Sequence, residues 1–427
     1  VATQSLKFDD GSSSFLARTF VTPTNQNRWT INLWVKRGNL GTVQRIIGTG
    51  PYVNTSELNF FFQANDTLKI SHYTAGGNSV VHEVVTTQVF RDPSSWYNIH
   101  HIFDSAGSGN DRQQLWVNGV RITTFSGTSV FSASDSAFNT ARVHEIGRGN
   151  GQQYFDGYMS EINVVDGLAL DPSYFGETKN GIWIAKNPAV SDYGNNGFRL
   201  QFENTGENTT AEGTSNSPTT NIGDDSSGSG HNFSVSGINS HDCVPDSPEN
   251  NFSTLNPLDN FGYDGVVLSE GNLKGASTQG HWDVVRSTFV MPTGSWYVEL
   301  YSTSAGANSN TMLGIIPQNQ NLPNEHLGVS ATGYAYSSDG KVYNNGSQVG
   351  STGATFETGD IVAMTFDGST VKWYKNNSLI HTVGSIPSAE YSVGLALYDT
   401  DESAILNFGQ DSSFAGNKTS GSAEAQD

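Results

Sequence analysis

The sequence predicts an all-β fold: two antiparallel jelly-roll β-sandwiches joined by a long irregular connector. Three observations carry this. Short apolar runs of strand length recur between turns rich in Gly, Ser, Asn and Asp, and no segment sustains the 3.6-residue apolar period of a helix. Charged residues are only 15% of the chain while Gly numbers 47, a balance that suits turn-rich β-proteins. The strand-like runs also fall into two blocks with polar, low-complexity sequence between them. At 427 residues there is room for two or three domains.

Residues 1–175 form the first block. "SLKFDDGSSSFLARTF" supplies two strands around a Gly/Ser turn. "WTINLWVKR" alternates, with Trp29, Ile31, Leu33 and Val35 on one face. "ELNFFFQ", "TLKISHY", "HEVVTTQVF" and "WYNIHHIFD" follow, then "QQLWVNGVRI", "ARVHEIGRG" and "YMSEINVVDG". Residues 176–265 read as a connector. Its islands of bulk at Trp183, Phe198 and Phe202 place it on a surface rather than free in solvent. Residues 266–410 resume the strand pattern with "WYVELYS", "MLGIIP", "GYAYSS", "DIVAMTFD", "VKWYKNN", "SVGLALYD" and "AILNFG". Residues 411–427 read as a flexible tail, and the missing initiator Met predicts a processed or trimmed start.

The formal charge of −20 argues against nucleic-acid binding, which needs basic patches, and against docking on anionic lipid. No apolar run approaches the ~20 residues of a membrane span. The single cysteine, Cys243, leaves no internal disulfide.

Two hairpins set side-chain direction. In "QQLWVNGVRI" the turn Asn118-Gly119 is a strong type I′ signal. It pairs Val117 with Val120, Trp116 with Arg121 and Leu115 with Ile122. Leu115, Val117, Val120 and Ile122 then face the core, and Trp116 and Arg121 face outward, within reach of a cation–π contact. In "VKWYKNNSLI" the turn Asn376-Asn377 puts Val371, Trp373 and Ile380 inward. Tyr374, Leu379 and Lys372 fall on the other face.

Over residues 5–176, "SLKFDDGSSSFLARTF", "WTINLWVKR", "QLWVNGVRI" and "YFDGYMSEINVVDGLALDPSYFG" resemble a laminin-G-like, concanavalin A-type jelly roll. Over about 295–414, "SWYVELY", "GYAYSSDGKVYNNGS", "TFETGDIVAMTFD" and "LNFGQDSSF" resemble a SPRY domain. The combination, with the joining stretch "DSPENNFSTLNPLD", resembles structural proteins of marine phages. That resemblance implies a non-catalytic virion protein on the particle surface, in a tail fibre or similar appendage. It would recognise a host surface glycan or receptor, contact other virion proteins, and form a homo-oligomer, a trimer by analogy with fibres. Three other readings stand beside it: a capsid decoration protein, a glycoside hydrolase of the same fold, and a bacterial surface adhesin.

The ligand-binding candidates are Trp116 and Arg121 on the first hairpin, and Tyr334, Tyr336, Asp339 and Tyr343 in "GYAYSSDGKVYNNGS". Aromatic rings stack on the C–H faces of sugars, and Tyr-rich polar loops make adaptable contacts. For the hydrolase reading, "SEINVVDG" sets Glu161, Asn163 and Asp166 at the spacing of a glucanase Glu-x-Asp-x-x-Glu strand, with an amide in the middle position. His100 and His101 are adjacent on a strand, so they point to opposite faces and cannot share an ion. His241 and Cys243 lack further ligands for zinc. No cofactor is expected beyond calcium, for which Asp224 and Asp225 in "IGDDSSGSGHN" and Asp9 and Asp10 in "FDDGSSS" offer loop oxygens.

Overall fold

The computed structural model describes residues 1–49, 57–73, 80–127, 130–131, 135–149, 151–207, 220–306, 310–322 and 324–419. It consists of strands and three short 3₁₀ turns among those residues. Among the described residues no helix is long and apolar enough to cross a membrane. The chain divides into two compact units, Val1–Asn251 and Phe252–Asp427.

The first unit is a sandwich of two antiparallel sheets. One runs from Val120–Ile122 through Gln113–Val117, Tyr97–Asp104, Arg28–Arg37, Gly157–Asp166 and Ser5–Phe8 to Cys243–Val244, and Phe198–Leu200 also pairs with Gly157–Asp166. The other runs from Val130–Phe131 through Val80–Val89, Thr67–Tyr73, Glu57–Phe62, Gln44–Thr49, Val143–Ile146 and Phe15–Thr19 to Ser234–Ser236. The alternation of "WTINLWVKR" is realised as expected. Trp29, Ile31, Leu33 and Val35 are fully buried between the sheets with Leu6, Phe60, Ile99 and Leu115.

The connector differs from its sequence reading. Residues up to Asn251 belong to the first sandwich, because three of their short segments complete its sheets. Phe198, Leu200 and Phe202 enter the main core. Burying each side chain contributes roughly 2–3 kcal/mol, which a free tether could not gain. Other parts of the connector cover the outer face of the first sheet. Trp183 packs there with Trp34, Trp96 and Tyr158, and Lys36 is enclosed against Asp246 at 2.8 Å. Residues 208–219, the most polar part of the connector, lie outside the described residues.

The second unit takes up the remainder, including Leu255–Phe261, which pairs with Asp283–Met291. One sheet runs Leu255–Phe261, Asp283–Met291, Tyr391–Leu397, Met312–Pro317, Tyr334–Ser337, Lys341–Asn344, Ser347–Ser351. The other runs Val267–Ser269, Lys274–Ala276, Glu402–Asn407, Trp296–Ala305, Ile361–Phe366, Val371–Lys375, Ser378–Val383. Trp373 is fully buried between them and its indole N–H donates to the Leu313 carbonyl at 3.0 Å. The expected flexible tail does not begin at residue 411. Phe414 is fully buried with Leu273, Ile361 and Ile405, so the chain docks on the sheet to that point at least. Residues 420–427 lie outside the described residues.

Candidate functional site

The first hairpin has the register its turn dictates: Val117–Val120, Trp116–Arg121 and Leu115–Ile122 are opposed. Asn118 and Gly119 both have positive φ, as a type I′ turn requires. Leu115 and Val117 are buried, but Val120 at the tip is exposed, since the core ends before the turn. Trp116 is half-buried on the outer face opposite His100. Arg121 does not lie over its ring. It reaches Asp111 at 2.5 Å instead, because a carboxylate offers a charged guanidinium a stronger partner than a ring face. The connector occupies the neighbouring surface: Trp183 lies over Gly119, where a Cβ would fall 2.3 Å from its ring. Its Nε1 donates to Asn98.

The Glu161–Asn163–Asp166 constellation on Gly157–Asp166 is engaged by protein partners at each position. The strand is bulged between Ser160 and Asn163, with Glu161 at φ 47°. Arg199 grips Glu161 through two hydrogen bonds of 2.9 and 3.0 Å, and Gln201 donates a third at 3.1 Å. Burial nevertheless pushes the Glu161 carboxyl upward more than Arg199 pulls it down. Asn163 accepts from the Tyr193 hydroxyl at 2.9 Å. Asp166 accepts from the amides of Thr24, Asn25 and Asn196 and from the Asn139 side chain. Both carboxylates are thus saturated by protein donors. Ile162 and Val164 pack inward, while Val165 joins Leu170, Phe175 and Tyr193 on the opposite side.

The tyrosine hairpin of the second unit is only partly a surface. Tyr336 is fully buried and its hydroxyl donates to the Ala354 carbonyl, so it is a core residue and not a contact residue. Tyr334 is half-buried against the same core. The strand alternates as read, but both of its faces are covered: the side chain between them, Ala335, lies in a second cluster with Leu322 and Leu327. Tyr343 packs on His326, at 5.2 Å between ring centres. Asp339 and Lys341 form an ion pair of 2.5 Å.

The histidines and Cys243 are structural. His100 points outward to the Leu170 carbonyl at 2.9 Å. His101 points inward against Trp29. The Cys243 thiol donates to the Asn204 carbonyl, and burial and Asp242 push it up to about 12, away from thiolate chemistry. Asp225 accepts from the amides of Arg199, Ser227 and His231, and Asp224 from Asn204 and Asn221, so both carboxylates organise their loop. Asp9 and Asp10 have a different neighbourhood, taken up below.

A recess that sequence reading did not single out lies on the outer face of the second unit. It has a volume of about 760 Å³ and is lined by Tyr297, Thr365, Tyr374, Asn377, Asn407, Phe408 and Gly409. The register explains it. Asn407, Glu299, Ala363 and Tyr374 stand in one row across four strands, and Tyr297, Thr365 and Lys372 in the next. The small Ala363 between Glu299 and Tyr374 leaves a trough. The chain after residue 407 forms one wall at Phe408 and Gly409. Glu299 is enclosed at the base, accepting from the Tyr297 hydroxyl at 2.7 Å and from Asn407 at 3.0 Å. Burial and that carboxylate push the Tyr297 hydroxyl upward, so it stays a neutral donor. Tyr297 keeps 40% of its surface exposed. The recess thus offers two aromatic faces with amide and hydroxyl groups between them, chemistry that suits a polyhydroxylated ligand, while the enclosed Glu299 holds Tyr297 and Asn407 in place.

Residues 9–173 match the Laminin_G_3 family, described as the Concanavalin A-like lectin/glucanases superfamily. No curated protein matches the chain. Among solved structures it is similar to a human SPRY domain, at 18% identity over 34% of this chain and 95% of that one, with a TM-score of 0.28. It is also similar to the native heptameric SAP-like pentraxin of Limulus polyphemus, at 15% identity over 39% of this chain and 77% of that one, TM-score 0.30. A Bacteroides ovatus protein proposed to bind carbohydrate aligns at 16% identity over 55% of this chain and 58% of its own, TM-score 0.38.

Proposed function

We propose that this chain is a non-catalytic recognition protein on a phage virion, a tail-fibre or appendage component whose second unit holds a host surface glycan between Tyr297 and Tyr374. The lectin-type family match of residues 9–173 supports a binding role at the coarser level. The observation that carries the finer reading is the recess itself, where two outward tyrosines flank the Glu299–Asn407 hydrogen bond. A sugar ring would stack on the tyrosines through its C–H face and direct hydroxyls to Asn377, Asn407 and Thr365. The phage context rests on the resemblance of the joined modules, and so does the homotrimer that would present several such recesses at once and gain avidity.

Glycan-array binding of the purified chain, with host-cell adsorption alongside, tests the proposal. Tyr374→Ala is expected to weaken binding at least tenfold while leaving the melting temperature within about 2 °C, since its ring is outside the core. Unchanged binding by a folded Tyr374→Ala protein would remove the recess from the site. Antibody labelling of particles tests the rest: label on tail appendages is expected, and particles without label would end the virion reading.

A further inference from the structure

Three strand ends meet at one edge of the first unit and bring three carboxylates together. Ser5–Phe8 pairs with Gly157–Asp166 so that Phe8 faces Gly157, and Gly157 in turn faces Arg37. The residues just outside that row are therefore neighbours: Asp9 and Asp10 follow Phe8, Asp156 precedes Gly157, and Gly38 and Asn39 follow Arg37. One carboxylate oxygen from each of Asp9, Asp10 and Asp156 lies within 4.8 Å of the others.

Asp156 separates this cluster from an ordinary acidic turn. Its side chain is fully enclosed. The amides of Asp10 and Asn39 lean toward it, yet no hydrogen bond of ordinary geometry reaches either of its oxygens. The charges that bear on it are Asp10 and Asp9, both of its own sign, and together with burial they push its carboxyl well above the usual range. Asp10 is pushed upward as well. A buried carboxylate aimed at two others is costly, and the cost is relieved either by a proton or by a cation among them. The backbone is shaped around it: a Cβ on Gly38 would fall 1.9 Å from Asp156 Oδ1, so only glycine lets this carboxylate keep its place.

We propose that Asp9, Asp10 and Asp156 bind one calcium ion. The donors are all hard oxygens, with no imidazole or thiolate among them, which selects calcium or magnesium over zinc. Calcium–oxygen bonds of about 2.3–2.6 Å allow ligand oxygens to stand roughly 5 Å apart across the ion, whereas magnesium holds them within roughly 4.2 Å. Oxygens that lie within 4.8 Å of one another fit inside the span that calcium bonds allow. Asp9 and Asp156 are buried and Asp10 is exposed, so solvent water completes the coordination from the Asp10 side. The ion would cross-link the first strand to the central strand of its sheet at the end where both leave the sandwich.

The test uses the full chain, freed of metal with a chelator, then titrated calorimetrically with CaCl2 and in parallel with MgCl2. The expected result is one calcium per chain, with magnesium at least tenfold weaker, and a rise of about 4 °C or more in the melting of the first unit at saturating calcium. Asp156→Asn and Asp10→Asn should each weaken calcium at least tenfold. Asp10 is exposed, so Asp10→Asn decides the matter if Asp156→Asn does not fold. Absence of calcium heat and of any melting shift in the wild-type chain overturns the proposal. So does equal binding of magnesium, or calcium binding that Asp10→Asn leaves unchanged.

Discussion

Glu161 and Arg199 form a two-pronged ion pair, with oxygen–nitrogen distances of 2.9 and 3.0 Å, on the bulged strand that crosses the middle of the first sheet. Arg199 belongs to the segment that sequence reading took for a connector. Its strand pairs with the bulged one so that Asn163 faces Arg199. The pair therefore ties the connector to the sheet at the position where a hydrolase would need a free carboxylate.

Removing one partner of this pair tests both statements. Glu161→Gln leaves the Arg199 guanidinium, almost enclosed, without its counter-charge. It should cost about 3 kcal/mol in urea unfolding of the first unit. The wild-type chain should release no reducing sugar from β-glucans or host polysaccharide. Turnover in the wild type that vanishes in Glu161→Gln would establish the hydrolase reading instead.

Buried histidines make the first unit sensitive to acid. Burial lowers His100 to about 4, and His101 and His144 to about 3, and holds His72 well below its ordinary value. Above pH ~7.5 these rings are neutral in both states and add no pH dependence. As pH falls below that, the unfolded chain takes up protons that the folded chain refuses, so stability is lost progressively toward pH ~3–4. At about 1.4 kcal/mol per unit for each ring, the four together remove roughly 5 kcal/mol between about pH 7.5 and 5.5. Asp156, displaced upward, acts in the opposite sense. Calorimetric melting against pH measures the sum, and His101→Leu isolates one ring: it should flatten the slope by about a quarter. A slope unchanged by that substitution would contradict the assignment.

What could be read from sequence follows the range of the interactions that decide each feature. Asn118-Gly119 determined a register over six residues because turn geometry and strand pairing are local. Asn376-Asn377 was equally plain as a turn, yet a bulge between Trp373 and Tyr374 pairs Trp373 with His381 rather than Ile380. No residue type marks that bulge. Tyr336 was misread for a different reason. Alternation shows which side chains share a face but not which face is wet, and here the face that carries Tyr334 and Tyr336 is the one turned to the main core. The connector's place in the sheets was partly visible in its aromatic islands, but its partners lie tens of residues away or more. Tyr374 was correctly placed outward. The recess it lines exists only because the fold brings Tyr297 and Asn407 beside it.

Trp116 and Tyr374 are both outward aromatics and should behave differently. Trp116 stands beside surface already taken by Trp183, and Arg121 is turned to Asp111 rather than to the ring. Trp116→Ala is expected to cost about 1–2 kcal/mol in stability through lost packing and to leave glycan binding within twofold of wild type. Tyr374→Ala should do the reverse. Loss of host adsorption in a folded Trp116→Ala protein would return the first hairpin to the binding site.

Lys36 and Asp246 supply the most demanding contact between the connector and the sheet. Both side chains are fully enclosed at 2.8 Å, Asn251 accepts a second hydrogen bond from the ammonium at 2.9 Å, and the Trp96 indole donates to Asp246 at 3.2 Å. Burial lowers the Lys36 ammonium and Asp246 opposes that most strongly, so the lysine depends on this partner for its charge. Asp246→Asn should destabilise the first unit by about 3–5 kcal/mol in denaturant unfolding, because it leaves a buried cation without its counter-charge. The double replacement Lys36→Met with Asp246→Leu removes both charges and should recover most of that loss. If Asp246→Asn cost less than about 1 kcal/mol, the segment around it would lie on the sandwich without being part of its cooperative fold.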